Sequence, residues 1–123
     1  MKILAIDDQQ LVLLPLQKKL EELGYKVNTS TDAHEGIGIY NRFKPDLLIV
    51  DINMPDMSGI EFIKYIRINK LSKTPIIVLS GNNDKDIINE AFEFGINDYI
   101  KKPMCLDDIC QRIKRVNILS QTY

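Results

Sequence analysis

The chain has 123 residues, 45% apolar and 27% charged, enough to bury one core without disulfide support and ordinary for a soluble globular domain. Lys plus Arg (16) nearly cancels Asp plus Glu (17), so the composition asks for neither direct nucleic-acid binding nor a membrane surface. No apolar run is long enough to span a bilayer, and "MKILAID" lacks the apolar stretch and cleavage site of a signal peptide, which predicts a cytoplasmic protein.

The first predicted strand is Lys2–Ile6. Leu13, Leu16, Leu20 and Leu23 then recur at steps of three and four, the spacing of one helix face, and Gly24 stops them. Pro15 falls inside that stretch, where it removes a backbone donor and crowds the preceding turn. A late or kinked helix start is expected. Tyr25–Thr29 mixes polar with apolar residues and reads as an edge strand, followed by a helix marked by Ala33, Ile37 and Tyr40. Asp46–Val50 is nearly continuous and apolar, as strands buried on both faces are. Ser58 is placed to cap a helix carrying Ile60, Ile63 and Ile66 inward. Pro75–Leu79 is the fourth strand. Asn83 or Asp84 is placed to cap the next helix, with Ile88, Ala91 and Phe92 inward and Gly95 ending it. Asp98–Ile100 is a last strand, and Leu106, Ile109, Ile113 and Val116 mark the final helix. Residues 120–123 lack an apolar period and read as a loose tail, which leaves 1–119 as one domain.

Five strand–helix repeats predict an α/β fold, a single (βα)5 doubly wound parallel sheet with helices on both faces. Cys105 and Cys110, five apart, form neither a redox pair nor a metal knuckle and read as helix residues in a reducing compartment. The single histidine, His34, excludes a multi-histidine metal site and reads as a surface residue.

Sites in open parallel sheets form beyond the carboxyl ends of the strands. Asp7 and Asp8 follow the first strand, Asp51 the third, Ser80 and Gly81 the fourth, and Lys101, Lys102 and Pro103 the fifth. In the flavodoxin-like order 2-1-3-4-5 these four strands are contiguous, so three carboxylates, a hydroxyl and a lysine would share one crevice. Clustered carboxylates repel unless a cation joins them, and oxygen ligands with room for water point to Mg²⁺. A carboxylate beside Mg²⁺ and a lysine can be a nucleophile toward phosphorus. Each group also has a plain structural reading: Asp7 and Asp8 as helix caps, Asp51 as a loop residue, Ser80 and Gly81 as turn residues, the lysines as solvated charge. Their joint placement at four strand ends favours a site.

With "AIDDQ", "IVDINMPDMSG", "VLSG" and "DYIKKP" in this order and spacing, the sequence resembles the receiver domain of two-component response regulators over about Lys2–Ile118. The resemblance implies that Asp51 is the phosphoacceptor, taking a phosphoryl group from a histidine kinase or phosphotransfer protein. It implies that Asp8 and Asp51 bind Mg²⁺ (or Mn²⁺) directly, that Asp7 acts through water, and that Asn53 supplies a backbone carbonyl. Lys102 matches the lysine that binds the phosphoryl group with Ser80 and Gly81; Lys101 does not match. Ser80 and Tyr99 match the switch hydroxyl and switch aromatic, and the Lys102–Pro103 bond is expected to be cis. The implied output runs through the face of the fourth helix, fifth strand and fifth helix to a downstream protein, an output domain, or a phosphorylation-dependent homodimer. Asn97 departs from the aspartate common in dimerising transcription-factor receivers, and Met104 from the usual phenylalanine. No DNA-binding or catalytic segment follows Ile118, so the sequence is compatible with a stand-alone receiver and with one domain of a longer protein.

Three rivals share parts of this pattern. A haloacid-dehalogenase-type phosphatase uses an aspartyl phosphate, but its nucleophile opens a DxD motif near the first strand, whereas here the paired acids come first and Asp51 begins DxN. An FMN-binding flavodoxin cradles phosphate in its first loop, where "DDQQ" would repel it. A non-phosphorylated binding module of the same fold has no need of five intact site positions.

Overall fold

The computed structural model describes residues 1–81 and 85–122, with side chains as far as Asn117. Strands β1 (Lys2–Ile6), β2 (Lys26–Ser30), β3 (Leu47–Asp51), β4 (Ile76–Ser80) and β5 (Asp98–Lys101) alternate with helices α1 (Gln10–Glu22), α2 (Ala33–Phe43), α3 (Gly59–Lys64), α4 (Lys85–Glu93) and α5 (Leu106–Thr122). All five strands are parallel in one sheet of order β2-β1-β3-β4-β5, as expected. β3 and β4 are buried at every residue, which is why they read as unbroken apolar runs. Edge strand β2 exposes Lys26 and Asn28 and buries Val27 and Ser30.

Strand alternation divides the core into two layers. Ile3, Ala5, Leu47, Ile49, Ile77, Leu79 and Ile100 face the layer built with α1 and α5. Leu4, Ile6, Leu48, Val50, Ile76, Val78 and Tyr99 face the layer built with α2, α3 and α4. A one-residue slip of any strand would exchange these sets, so both layers hold the register.

Ser58 caps α3 by accepting the Glu61 N–H, and Asp32 caps α2 by accepting those of His34 and Glu35. His34 itself is exposed. Several expectations are corrected. α1 begins at Gln10, five residues ahead of Pro15, with the Val12 and Leu13 N–H groups already on the Gln9 carbonyl. Pro15 and Leu11, whose carbonyl the proline leaves unmatched, are both exposed, so water can serve that side of the helix. Leu23 is 42% exposed because the helix ends there and Gly24 turns away with φ 94°. Phe92 is 49% exposed: Ala91 is buried as expected, but the residues packed on the core beside it are Ile87 and, just past the end of α4, Phe94. The capping positions Asn83 and Asp84 lie outside the described residues. Cys105 precedes α5 and lends its carbonyl to Ile109; only Cys110 lies in the helix, and it is buried. Helical backbone continues through Ser120 to Thr122, past the end of the apolar spacing.

The 3.6-residue spacing did not foreshadow a π-helical turn over Tyr65–Asn69, which continues α3 and is closed by the Lys70 N–H on the Tyr65 carbonyl. Asn97 accepts the Ile76 N–H with its side chain and donates its own N–H to the Ile76 carbonyl, fixing where β4 begins.

Candidate functional site

β1, β3, β4 and β5 end at one rim. Asp51 and Ser80 are the last residues of β3 and β4; Asp7 and Lys102 are the first residues past β1 and β5. Alternation along the strands places Asp7, Asp51 and Lys102 in step with the α1/α5 layer (Ala5, Ile49, Ile100). Asp7 is fully buried and Asp51 is 2% exposed, while Asp8 is exposed. One oxygen from each of the three carboxylates lies within 4.8 Å of the others.

The Lys102 ammonium bridges two of these acids, with Nζ 2.7 Å from Asp7 Oδ2 and 3.4 Å from Asp51 Oδ2. Asp7 Oδ1 accepts the Gln9 N–H at 2.9 Å, and Asp51 Oδ1 accepts the Asn53 N–H at 3.2 Å. Burial pushes the Asp51 carboxyl up to about 6, and the Asp7 charge adds to the rise; Lys102 and the Asn53 N–H oppose it. For Lys102, burial alone would lower the pKa, but the hydrogen bond to Asp7 and the charges of Asp51 and Asp7 outweigh it, and the net shift is upward. Three carboxylates against one ammonium leave a deficit of two positive charges on an all-oxygen donor set. With Asp8 open to solvent, that set fits a hard divalent cation that keeps some of its water.

Ser80 is 1% exposed and in step with the opposite layer, beside Val78; Tyr99 is half-buried in that same layer. The Lys102 N–H donates to the Ser80 carbonyl at 2.8 Å, tying the exits of β4 and β5 together. Gly81 leaves open space where a side chain would stand. The Lys102–Pro103 peptide bond is cis. Lys101 is exposed and takes no part in the Asp7 and Asp51 ion pairs.

One contributor is easy to overlook in the sequence. Gly59, at the start of α3, donates its N–H to the Ile52 carbonyl at 3.1 Å, and a Cβ there would stand 2.7 Å from the Ile52 Cα and closer still to the Asp51 carbonyl oxygen. The loop therefore folds back onto the backbone of Asp51 only with glycine at 59. A glycine directly after a helix cap is the signal that points to it. Gln9, whose N–H orients Asp7, leaves no such trace.

Fold and pocket together define an acidic, lysine-bridged site at the rim of a five-stranded parallel sheet. Residues 3–114 match the family model described as response regulator receiver domain, and the chain belongs to that family. The "Cell cycle transcriptional regulator CtrA" of Caulobacter vibrioides is 34% identical over 116 residues, covering 94% of this chain and 50% of that protein. The "Cell cycle response regulator CtrA" of Brucella ovis is 32% identical over the same length and share. The chain thus spans about half the length of these relatives. Among solved structures, the chemotaxis protein CheY4 of Vibrio cholerae superposes with TM-score 0.86 at 30% identity, covering 94% of this chain and 97% of that one. A CheY-like receiver domain from Methanospirillum hungatei gives 0.93 at 27% identity, covering 98% and 96%. This chain therefore carries a response regulator receiver domain of two-component signalling. No helix among the described residues is long and apolar enough to cross a membrane.

Proposed function

We propose that Asp51 takes a phosphoryl group from the phosphohistidine of a histidine kinase or phosphotransfer protein. A carboxylate oxygen of Asp51 bonds to phosphorus, the P–N bond breaks, and the imidazole leaves with its electron pair. The observation that carries this reading is the bridge from Lys102 Nζ to Asp7 (2.7 Å) and Asp51 (3.4 Å), which sets an ammonium where the oxygens of a group on Asp51 would need one. Asp8, Asp51 and the Asn53 backbone carbonyl would hold Mg²⁺ (or Mn²⁺), with Asp7 acting through water. Bound there, the ion neutralises charge on the transferring group.

Lys102, the Ser80 hydroxyl and the Gly81 backbone receive the phosphoryl oxygens. Ser80 and Tyr99 belong to the α4-side layer, so a shift of the hydroxyl toward the new anion and of the ring into the layer would change the face of α4, β5 and α5. That face addresses a downstream protein or output domain, or a second copy of the chain. Residues 1–119 form the receiver unit, working in the cytoplasm without direct contact to nucleic acid or membrane.

Incubation with acetyl phosphate and Mg²⁺ is the test. One acid-labile phosphoryl group per chain is expected by intact mass, and none on D51N. Equal labelling of D51N would remove Asp51 from the role.

A further inference from the structure

The rim described above lies at one end of α4. At the other end stands a charge that the phosphoacceptor chemistry does not use. Arg67 sits in the π-helical turn, half-buried, and gives four hydrogen bonds to main-chain carbonyls. Nε donates to Phe94 O at 3.0 Å and Nη2 to Gly95 O at 3.0 Å; Nη1 donates to Ser72 O at 3.0 Å and Thr74 O at 2.8 Å. Phe94 and Gly95 are the first two residues past α4, and Gly95 turns the chain with φ 83°. The last turn of α4 carries no basic residue of its own. Arg67 supplies from another element the positive charge that a helix C-terminus favours. Lys64 adds a second attachment, 2.9 Å from Glu90 and 5.5 Å from the Phe94 ring centroid.

The planar guanidinium matters here, because two pairs of carbonyls from two separate loops converge on it. Ser72 and Thr74 lead into β4, so Arg67 locks the end of α4 to the start of the strand whose far end is Ser80. α4 is nine residues long, about 13 Å, and its other end joins the site through the segment after Ser80 and Gly81.

We propose that Arg67 is a positioning residue that pins the C-terminal end of α4, so that an event at Ser80 reaches the α4 face as a tilt about the Phe94–Gly95 end and not as displacement of the whole helix. This rests on the reading of Asp51 and Ser80 given above. Pinned at Phe94 and Gly95, the helix moves most at Lys85 and least at Glu93, so the docking face changes its angle more than its place.

The test compares wild type, R67Q and R67K, each first shown to be folded by circular dichroism. Without any added ligand, R67Q is expected to raise amide hydrogen exchange around Gly95 and Asn97 by roughly tenfold or more while leaving Val78 in central β4 unchanged. With beryllofluoride and Mg²⁺ as the probe, wild-type backbone amide shifts are expected to fall off from Lys85 toward Gly95. In R67Q they extend through Glu93–Gly95, and R67K lies between. A simple loss of stability would raise exchange everywhere and leave the gradient as it was. The proposal is overturned if exchange at Gly95 is unchanged in R67Q, or if the wild-type shifts are as large at Gly95 as at Lys85. If R67Q does not fold, R67K is judged by the same two criteria. Wild type that binds no beryllofluoride, with D51N behaving identically, defeats the Asp51 reading instead, and the pin is then decided by hydrogen exchange alone.

Discussion

Replacing Asp51 with asparagine should make the metal-free protein more stable at neutral pH. Asp51 is 2% exposed, beside Asp7, and its carboxyl is raised from 3.8 to about 6. The folded state therefore binds a proton more readily than the unfolded chain, and the ionised carboxylate costs the fold stability. A rise of about two units corresponds to roughly 3 kcal/mol at pH values above both constants. The sign is that of a raised carboxyl: stability falls as pH climbs from about 4 to about 6 and then levels off. The asparagine side chain is uncharged and of similar shape, and it leaves Lys102 paired with Asp7 at 2.7 Å. D51N is thus expected to gain about 2–3 kcal/mol in urea unfolding at pH 8 in EDTA, several degrees in Tm. The gain should shrink below pH 5 as wild-type Asp51 takes up its proton. Mg²⁺ should narrow the gap from the other side by stabilising wild type more than the variant. Equal stability of the two proteins at pH 8 without metal, or a D51N advantage that grows in acid, would refute the charge-conflict account.

K102A removes the only ammonium paired with Asp7 and Asp51 among the described residues, so it is expected to lower metal-free stability by about 2 kcal/mol, with Mg²⁺ restoring most of it, and to uncouple phosphorylation from partner affinity; an unchanged affinity response in K102A argues against its role. G59A is expected to cost about 2–4 kcal/mol and to slow labelling by acetyl phosphate, because its Cβ meets the Asp51 and Ile52 backbone. Wild-type unfolding and labelling in G59A would show that the loop can move aside.

The strands and their order were legible because burial on both faces demands the unbroken apolar runs of β3 and β4. The acids and Lys102 were legible because strand ends in such a sheet share a rim, and the spacing of the motifs then pointed to one family. Helix faces read less well. At the end of α4, alternative three- and four-residue steps fit the same apolar letters, and only packing shows that Phe94, just past the helix, and not Phe92 turns inward. Pro15 was misleading because its cost depends on which side of the helix faces water. Arg67 left no local trace: its acceptors at Phe94 and Gly95 lie 27 and 28 residues away, and the π-turn that aims it has no sequence period.

The two-faced sheet has a practical meaning for anyone engineering the domain. The charged trio of Asp7, Asp51 and Lys102 is mounted on one side, and the Ser80–Tyr99 pair on the other, with the sheet itself as the partition. Repacking the layer under α1 and α5 therefore disturbs the acids and the ammonium first, whereas repacking beneath α4 reaches Ser80 and Tyr99 first, and the two sets of groups can be perturbed one at a time.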